Sequence, residues 1–223
     1  MVSTPRIIAA AALLGLGLGA VAVYVTGGPD GNNAPGVAAT PVVAQVDAAA
    51  CAAKTEQAQA IGAAATGEVA AMLPADPPQS LKNLAFDAPG GSPTTLGAFS
   101  GKTLLVNLWA TWCAPCRQEM PALDRLQREM GSDKFEVVAV NVDTGSDEKP
   151  KKFLAETGIR SLAYYRDASL GLFNDLKRRG LALGLPVTLL VDKDGCLIAH
   201  MNGPAEWASE DAKRLIGMAA GPS

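Results

Sequence analysis

From Ser80 onward the chain alternates between unbroken apolar runs and stretches with helical spacing. Leu81 to Phe86 and Thr94 to Phe99 flank Gly-Gly-Ser-Pro and read as a weak hairpin. TLLVNLWA, Thr103 to Ala110, is a continuous apolar run of the kind that forms a strand buried on both faces. Pro115 to Met130 carries Leu123, Leu126 and Met130 at helical spacing. FEVVAVNV, Phe135 to Val142, predicts a second buried strand, and Asp147 to Glu156 a polar helix. Leu162 to Tyr165 predicts a short strand and Leu170 to Arg178 a short helix. Val187 to Val191 and Leu197 to Met201 are strands joined through Asp194-Gly195, a hairpin turn pair, and Glu206 to Ala219 closes the body as a helix. The order β-α-β-α-β-α-β-β-α predicts an α/β fold: a mixed central sheet flanked by helices, with parallel crossovers first and an antiparallel hairpin last.

Upstream of residue 80 the pattern is different. Ile7 to Val25, IIAAAALLGLGLGAVAVYV, has no charge, and as a helix it would rise about 28 Å, roughly one hydrocarbon core. Arg6 precedes it, no Lys or Arg follows until Lys54, and Tyr24 lies near the far end. This asymmetry predicts a transmembrane anchor with its N-terminus in the cytoplasm and the body exported. Ala20-Val21-Ala22 also fits the small-x-small site of a cleaved signal peptide, which exports the body equally. Residues 26–47, rich in Gly, Pro, Ala and Asn at the start, read as a flexible linker. Residues 48–79 read as a helical extension: Ala48 to Leu73 is alanine-dense and predicts one or two helices, with Gly62 and Gly67 as possible breaks.

Composition narrows the function. With 48% hydrophobic and 18% charged residues the chain can build a core, which excludes a disordered tail protein. A net charge of -3 gives no bulk attraction for nucleic acid. The single histidine, His200, excludes a His-rich metal site and catalysis by paired histidines.

The chemistry centres on Trp112-Cys113-Ala114-Pro115-Cys116, between a predicted strand and a predicted helix. Two cysteines three apart also occur in zinc sites, but zinc needs two more ligands and no second CxxC or paired histidine is present. Strand–CxxC–helix reads instead as a redox dithiol needing no other cofactor, with an inert bridge as the bland alternative. Cys113 would sit at the helix N-terminus, where unpaired amides and the macrodipole stabilise a thiolate. Pro115 is tolerated in the first turn, and one turn returns Cys116 beneath Cys113. Cys113 is then the exposed nucleophile and Cys116 the buried resolving thiol.

Residues 80–220 resemble thioredoxin-like domains through WCAPC, Pro121 and Gly184-Leu185-Pro186. The resemblance implies that Pro121 kinks the active-site helix and that Pro186 is a cis-proline opposite the dithiol. It also implies that Leu185 turns backbone groups towards an extended partner chain, beside Trp112, Ala114 and Pro115. Thioredoxin's buried aspartate and facing lysine are replaced by Asn107 and Ala139, so charge balance is kept but the proton relay must lie elsewhere. Glu119, one turn after Cys116, is the candidate; the alternative is that it faces solvent. An acid at that offset also occurs in membrane-anchored reductases of the TlpA, ResA and CcmG type. The anchor, the alanine-rich helix and two further cysteines make the chain resemble the TlpA-like members most. That resemblance implies a reductase of disulfide-containing periplasmic proteins: a copper chaperone, the copper-site subunit of cytochrome oxidase, or apocytochrome c. A membrane electron donor would regenerate it.

TlpA-like chains also carry a bridge comparable to a Cys51–Cys196 pair, which would tie the N-terminal helix to the body; two buried free thiols are the alternative. His200, alternating with Ile198, reads as a surface or edge side chain, Trp109 and Phe173 as core, and Lys177, Arg178 and Arg179 as a solvated helix end. Two other functions stay open: a copper chaperone binding Cu(I) through Cys113, Cys116 and His200, and a disulfide oxidase.

Overall fold

The computed structural model describes residues 41–221, all within one compact unit, Ala39–Ser223. The predicted anchor, Ile7 to Val25, and most of the predicted linker lie outside the described residues; among the described residues no helix is long and apolar enough to cross a membrane. The chain runs α1 (Pro41–Ala52), α2 (Thr55–Ala64), a 3₁₀ turn (Gly67–Val69), β1 (Leu73–Pro74), β2 (Ala85–Asp87), β3 (Pro93–Thr95) and a second 3₁₀ turn (Leu96–Phe99). It continues through β4 (Thr103–Trp109), α3 (Ala114–Met130), β5 (Phe135–Asn141), α4 (Glu148–Glu156), β6 (Tyr165–Arg166) and α5 (Gly171–Arg178). The hairpin β7 (Val187–Val191) and β8 (Leu197–Asn202) and the helix α6 (Glu210–Ala220) complete it.

One eight-stranded sheet is formed in the order β1-β8-β7-β4-β5-β6-β2-β3. β4, β5 and β6 are parallel, as crossover connections require; β7 runs antiparallel to β4 and to β8. This is the mixed sheet the pattern predicts, and every residue of β4 is buried, as its unbroken apolar run demands. The short outer elements differ from the sequence reading. The expected strand Leu81 to Phe86 is limited to Ala85–Asp87, and Thr94 to Phe99 divides into β3 and a 3₁₀ turn. Leu162 to Tyr165 gives way to β6, which holds a single register pair with β2. The last helix starts at Glu210, not Glu206, because Ser209 caps it by accepting the Ala212 N–H at 3.2 Å.

The N-terminal extension is part of the sheet. The predicted linker ends early, because α1 begins at Pro41, a residue whose fixed φ and missing N–H suit a first helical turn. β1 pairs with β8, Leu73 opposite His200 and Pro74 opposite Ala199. Gly62 does not break α2; a Cβ there would lie 2.8 Å from the Pro74 ring, so glycine permits the close approach of helix and strand. Gly67, by contrast, does mark a break: at φ +57° it opens the 3₁₀ turn.

Three side-chain linkages hold the extension in place. A Cys51–Cys196 disulfide spans a sequence separation of 145 residues with its Cα atoms 5.3 Å apart. The Lys54 ammonium pairs with Asp192 and, at 2.6 Å, with Asp194. Further along, Lys82 donates to Asp47 at 2.8 Å. Cross-linking points so distant in sequence removes much unfolded-state entropy, at most about 4–5 kcal/mol in the chain-entropy view. The Cys51→Ser/Cys196→Ser double variant should therefore unfold at lower denaturant than the parent while the Cys113–Cys116 bridge persists. An unchanged midpoint would show that packing and the Lys54 pairs suffice.

Candidate active site

The dithiol lies where the central strand meets the longest described helix. β4 ends at Trp109, and the connection to α3 is held at several points. The Thr111 N–H and hydroxyl donate to the Asp143 carboxylate at 2.8 and 2.7 Å, and Arg117 donates to the Thr111 carbonyl at 3.0 Å. Asp143 is itself buried and receives the Asn141 amide at 2.7 Å. The loop therefore leaves the sheet in one conformation, with Cys113 as the N-cap of α3. The Cys116 N–H donates to Cys113 Sγ at 3.3 Å. An amide that the helix leaves unpaired is thus aimed at the sulfur, the arrangement that favours a thiolate after reduction. Pro115 is the second helical residue, and Pro121 lies inside α3.

Cys113 and Cys116 form a disulfide with Cα atoms 5.3 Å apart. The expected contrast in exposure is smaller than the sequence reading has it: Cys113 is only 5% exposed and Cys116 0%. Capping brings the Cys113 sulfur in against the Cys116 amide, so the exposed surface beside it belongs to Trp112, at 66%. Ala114 is exposed and Pro115 half-buried. A cleft of about 370 Å³ beside Trp112 is lined by Thr111, Asp143, Thr144, Ser146 and Lys149.

The Leu185–Pro186 bond is cis. Leu108 pairs with Val187, so Pro186 stands beside the end of β4 from which the dithiol loop departs. Pro186 is buried and Leu185 half-buried; Leu183, just upstream, is 83% exposed, with its N–H donated to Asn202 Oδ1 at 2.8 Å. The register places Asn107 opposite Ala139, the pair that stands where thioredoxin has its two charges.

Glu119 does not face solvent. It is 3% exposed, and its carboxylate is surrounded by donors. Oε1 accepts from Asn107 Nδ2 at 2.8 Å; Oε2 accepts from Trp207 Nε1 at 2.9 Å and the Ala205 N–H at 3.2 Å. Burial disfavours the charged form more than these three hydrogen bonds favour it, and the pKa rises to about 7. A carboxyl poised there can take or give a proton at neutral pH.

Sequence reasoning missed Trp207, Ala205 and Asp143. Trp207 fell in a segment read as helix, and nothing local marks it as a donor to a residue so distant in sequence. Asp143 carried a weak signal, a polar Asn-Val-Asp ending at a strand otherwise apolar. The expectation for His200 is corrected. β1 covers β8, so His200 is not on an edge; it is half-buried, burial holds its pKa below the ordinary value, and Nδ1 has no hydrogen-bond partner among the described residues. Among the described residues no group of three or more His, Cys, Asp or Glu side chains comes together as a metal site.

Known proteins are similar to this chain in sequence and in fold. The chain is 36% identical over 124 residues to the thioredoxin-like protein YneN of Bacillus subtilis, covering 54% of this chain and 65% of that protein. It is 30% identical over 114 residues to the thiol-disulfide oxidoreductase ResA of Bacillus thuringiensis, covering 51% and 62%. The alignments thus span less than two thirds of these relatives' own length. A thioredoxin-family thiol:disulfide interchange protein of Chlorobium tepidum superposes with a TM-score of 0.54 at 25% identity, over 66% of this chain and 99% of that one. Residues 75–216 match the Redoxin family, and this match, covering the sheet from its second strand, the dithiol and the cis-proline, establishes that the chain belongs to that family.

Proposed function

We propose that the chain is an exported thiol–disulfide oxidoreductase that reduces disulfides in partner proteins. The observation that carries this reading is the cap: Cys113 Sγ at the N-terminus of α3, receiving a backbone N–H, with Cys116 one turn behind and a cis-proline alongside. The similarity to a thiol-disulfide oxidoreductase and to a thiol:disulfide interchange protein supports it.

In the reduced protein the Cys113 thiolate attacks one sulfur of the partner disulfide. A Cys113–partner bond forms, and the other partner sulfur leaves as a thiolate that takes up a proton. Cys116 then gives up its proton, with Glu119 as the acceptor one turn along the helix, and its thiolate attacks Cys113 Sγ. The second partner thiolate leaves, and two electrons have passed from the dithiol to the partner. Trp112, Ala114 and Pro115 flank the reacting sulfur, and Leu185 offers backbone groups to an extended partner segment. Ile7 to Val25 anchors the body on the periplasmic side of the inner membrane. The partners are proteins of cytochrome oxidase copper-site or cytochrome c assembly, and a membrane thiol donor restores the dithiol.

The test is trapping. Cys116→Ser should accumulate a mixed disulfide with partner proteins, and Cys113→Ser should not; the opposite pattern would reverse the roles. A reduction potential as oxidising as that of a disulfide-forming oxidant would replace the reductase reading with an oxidase. Fractionation tests the anchor: the chain should sediment with membranes, and a soluble form beginning near Val23 would mean a cleaved signal.

Glu119 has a further consequence for stability. Its folded pKa, about 7, lies above its ordinary value of 4.5, so the protonated acid favours the folded state. That contribution is complete below about pH 4.5 and is lost as pH rises through about 7, a decline on the order of 3 kcal/mol. In denaturant titrations of the oxidised protein, Glu119→Gln should remove this slope and raise the midpoint on the alkaline side. A slope unchanged in the variant would place its origin elsewhere.

A further inference from the structure

The donors around Glu119 are arranged asymmetrically. Oε2 receives the Trp207 indole N–H and the Ala205 backbone N–H, and neither group can accept a proton in return. Oε1 receives only Asn107 Nδ2. This arrangement suits the ionised carboxylate. The protonated acid needs an acceptor for its own O–H, and as the side chains stand it has none. Asn107 is fully buried, and its Oδ1 has no hydrogen-bond partner among the described residues. Its Nδ2 also donates to the Thr188 hydroxyl at 2.9 Å, and a hydroxyl can either accept or donate.

We propose that the proton of Glu119 is carried on Oε1 and that Asn107 receives its hydrogen bond by inverting its side-chain amide. Half a turn about the last side-chain torsion exchanges Nδ2 and Oδ1 with almost no movement of heavy atoms. With Glu119 ionised, Asn107 donates to Oε1 and to the Thr188 hydroxyl. With Glu119 protonated, Asn107 Oδ1 accepts from the Oε1–H and from the Thr188 hydroxyl, which turns to donate. With Glu119 ionised, inversion would give up the Nδ2 donations to Oε1 and to the Thr188 hydroxyl and turn Oδ1 towards the carboxylate, so inversion is favoured only while the proton is present. Asn107 is thus a positioning residue that makes both charge states of one buried acid tolerable at one fixed place.

The clamp on Oε2 is fixed from outside. The loop that carries Ala205 and Trp207 is bound to Pro186, whose carbonyl accepts the Gly203 N–H at 2.9 Å, and to α3 through the Arg125–Glu206 ion pair. The groups facing Glu119 are Asn107 from β4, with Thr188 of β7 behind it, and the Ala205 amide and Trp207 indole from the loop after β8. The titratable groups adjacent in the chain are Cys113 and Cys116 on its own helix and Glu206 on the loop, the last neutralised by Arg125.

The inference rests on the reading of Glu119 as the proton carrier, and the experiment separates the two. It uses the oxidised protein, in which neither active-site cysteine titrates. The Glu119 carboxyl carbon and the Asn107 side-chain amide are followed by NMR across the pH range. The Asn107 amide resonances should move with the same midpoint as Glu119. Nuclear Overhauser contacts from the Asn107 amide protons to the Thr188 side chain should be present above that midpoint and lost below it. In Glu119→Gln the pH dependence of the amide should vanish. Contacts to Thr188 that persist at every pH while Glu119 titrates would overturn the inversion and leave the carrier reading standing. Asn107→Leu removes one donor to the ionised acid, so the Glu119 midpoint should rise by roughly one pH unit. The pH profile of thiol–disulfide exchange by the reduced variant should shift in the same direction. A thiol-exchange profile that Glu119→Gln leaves unaltered would refute the carrier reading itself, whatever Asn107 does.

Discussion

The unpaired amides at the start of α3 are the constraint on which the site depends. The unpaired N–H groups give a helix end its partial positive charge, and that charge is aimed at one sulfur only where the first turn is held in place; here the strand, the loop and the helix are each held separately. β4 is buried along its whole length and paired on both sides, so its end cannot move. Asp143 holds Thr111 with two hydrogen bonds, and Arg117 holds the carbonyl of the same residue from the first turn of the helix. Cys113 is left with the N-cap position, and the Cys116 amide reaches its sulfur. A sulfur that leaves or attacks as an anion is stabilised there without any basic side chain, and the described residues place none in hydrogen-bond contact with it.

Glu119 is the buried acid that the same fold has to accommodate. Thioredoxin-like chains that bury an aspartate beside a lysine balance charge with charge; this chain has Asn107 opposite Ala139 and balances a buried carboxylate with neutral donors only. Three donors are enough to hold the acid in the core but not to keep its pKa at the exposed value, so it titrates near neutrality. The same loop that supplies two of these donors also holds the cis-proline carbonyl. Glu119 and the cis-proline are therefore braced by one segment, and displacement of that loop would disturb both.

The parts of this arrangement legible in the sequence are those with a local physical cause. An apolar run predicts β4, helical spacing predicts α3, and the dithiol and Pro121 are fixed offsets along one helix. What was not legible has a cause distant in the chain. β1 has two residues and no periodicity; it becomes a strand because α2 and the disulfide bring it to the free edge of β8. The start of α1 at Pro41 was hidden because Gly- and Pro-rich composition upstream continued into it. Trp207 is an apolar residue by composition, and its role as a donor exists only because the loop after β8 folds over α3. Glu119 could be placed by its offset from Cys116, but whether it turned inward depended on Asn107 and Trp207, residues from two other elements.

The two disulfides show how far position alone decides the chemistry of the same bond. Cys113 caps the N-terminus of α3, where the helix dipole and a free amide favour a thiolate, and its neighbour Trp112 lies open to an approaching chain. Cys51 lies in the last turn of α1, the negative end of a helix, where a thiolate is disfavoured. Its partner Cys196 follows Asp192 and Asp194, and the Cys196 N–H is bonded to the Asp192 carboxylate. Both sulfur-bearing residues are 1% exposed. Thiol exchange needs access for the attacking sulfur and a leaving thiolate of low pKa. The first bond has a helix N-terminus to stabilise the thiolate and the exposed Trp112 beside it, although Cys113 itself is only 5% exposed; reducing the second would place a thiolate at the C-terminal end of a helix, with no exposed neighbour of that kind. One chain can therefore cycle one dithiol continually while the other remains closed, although both stand in the same redox compartment.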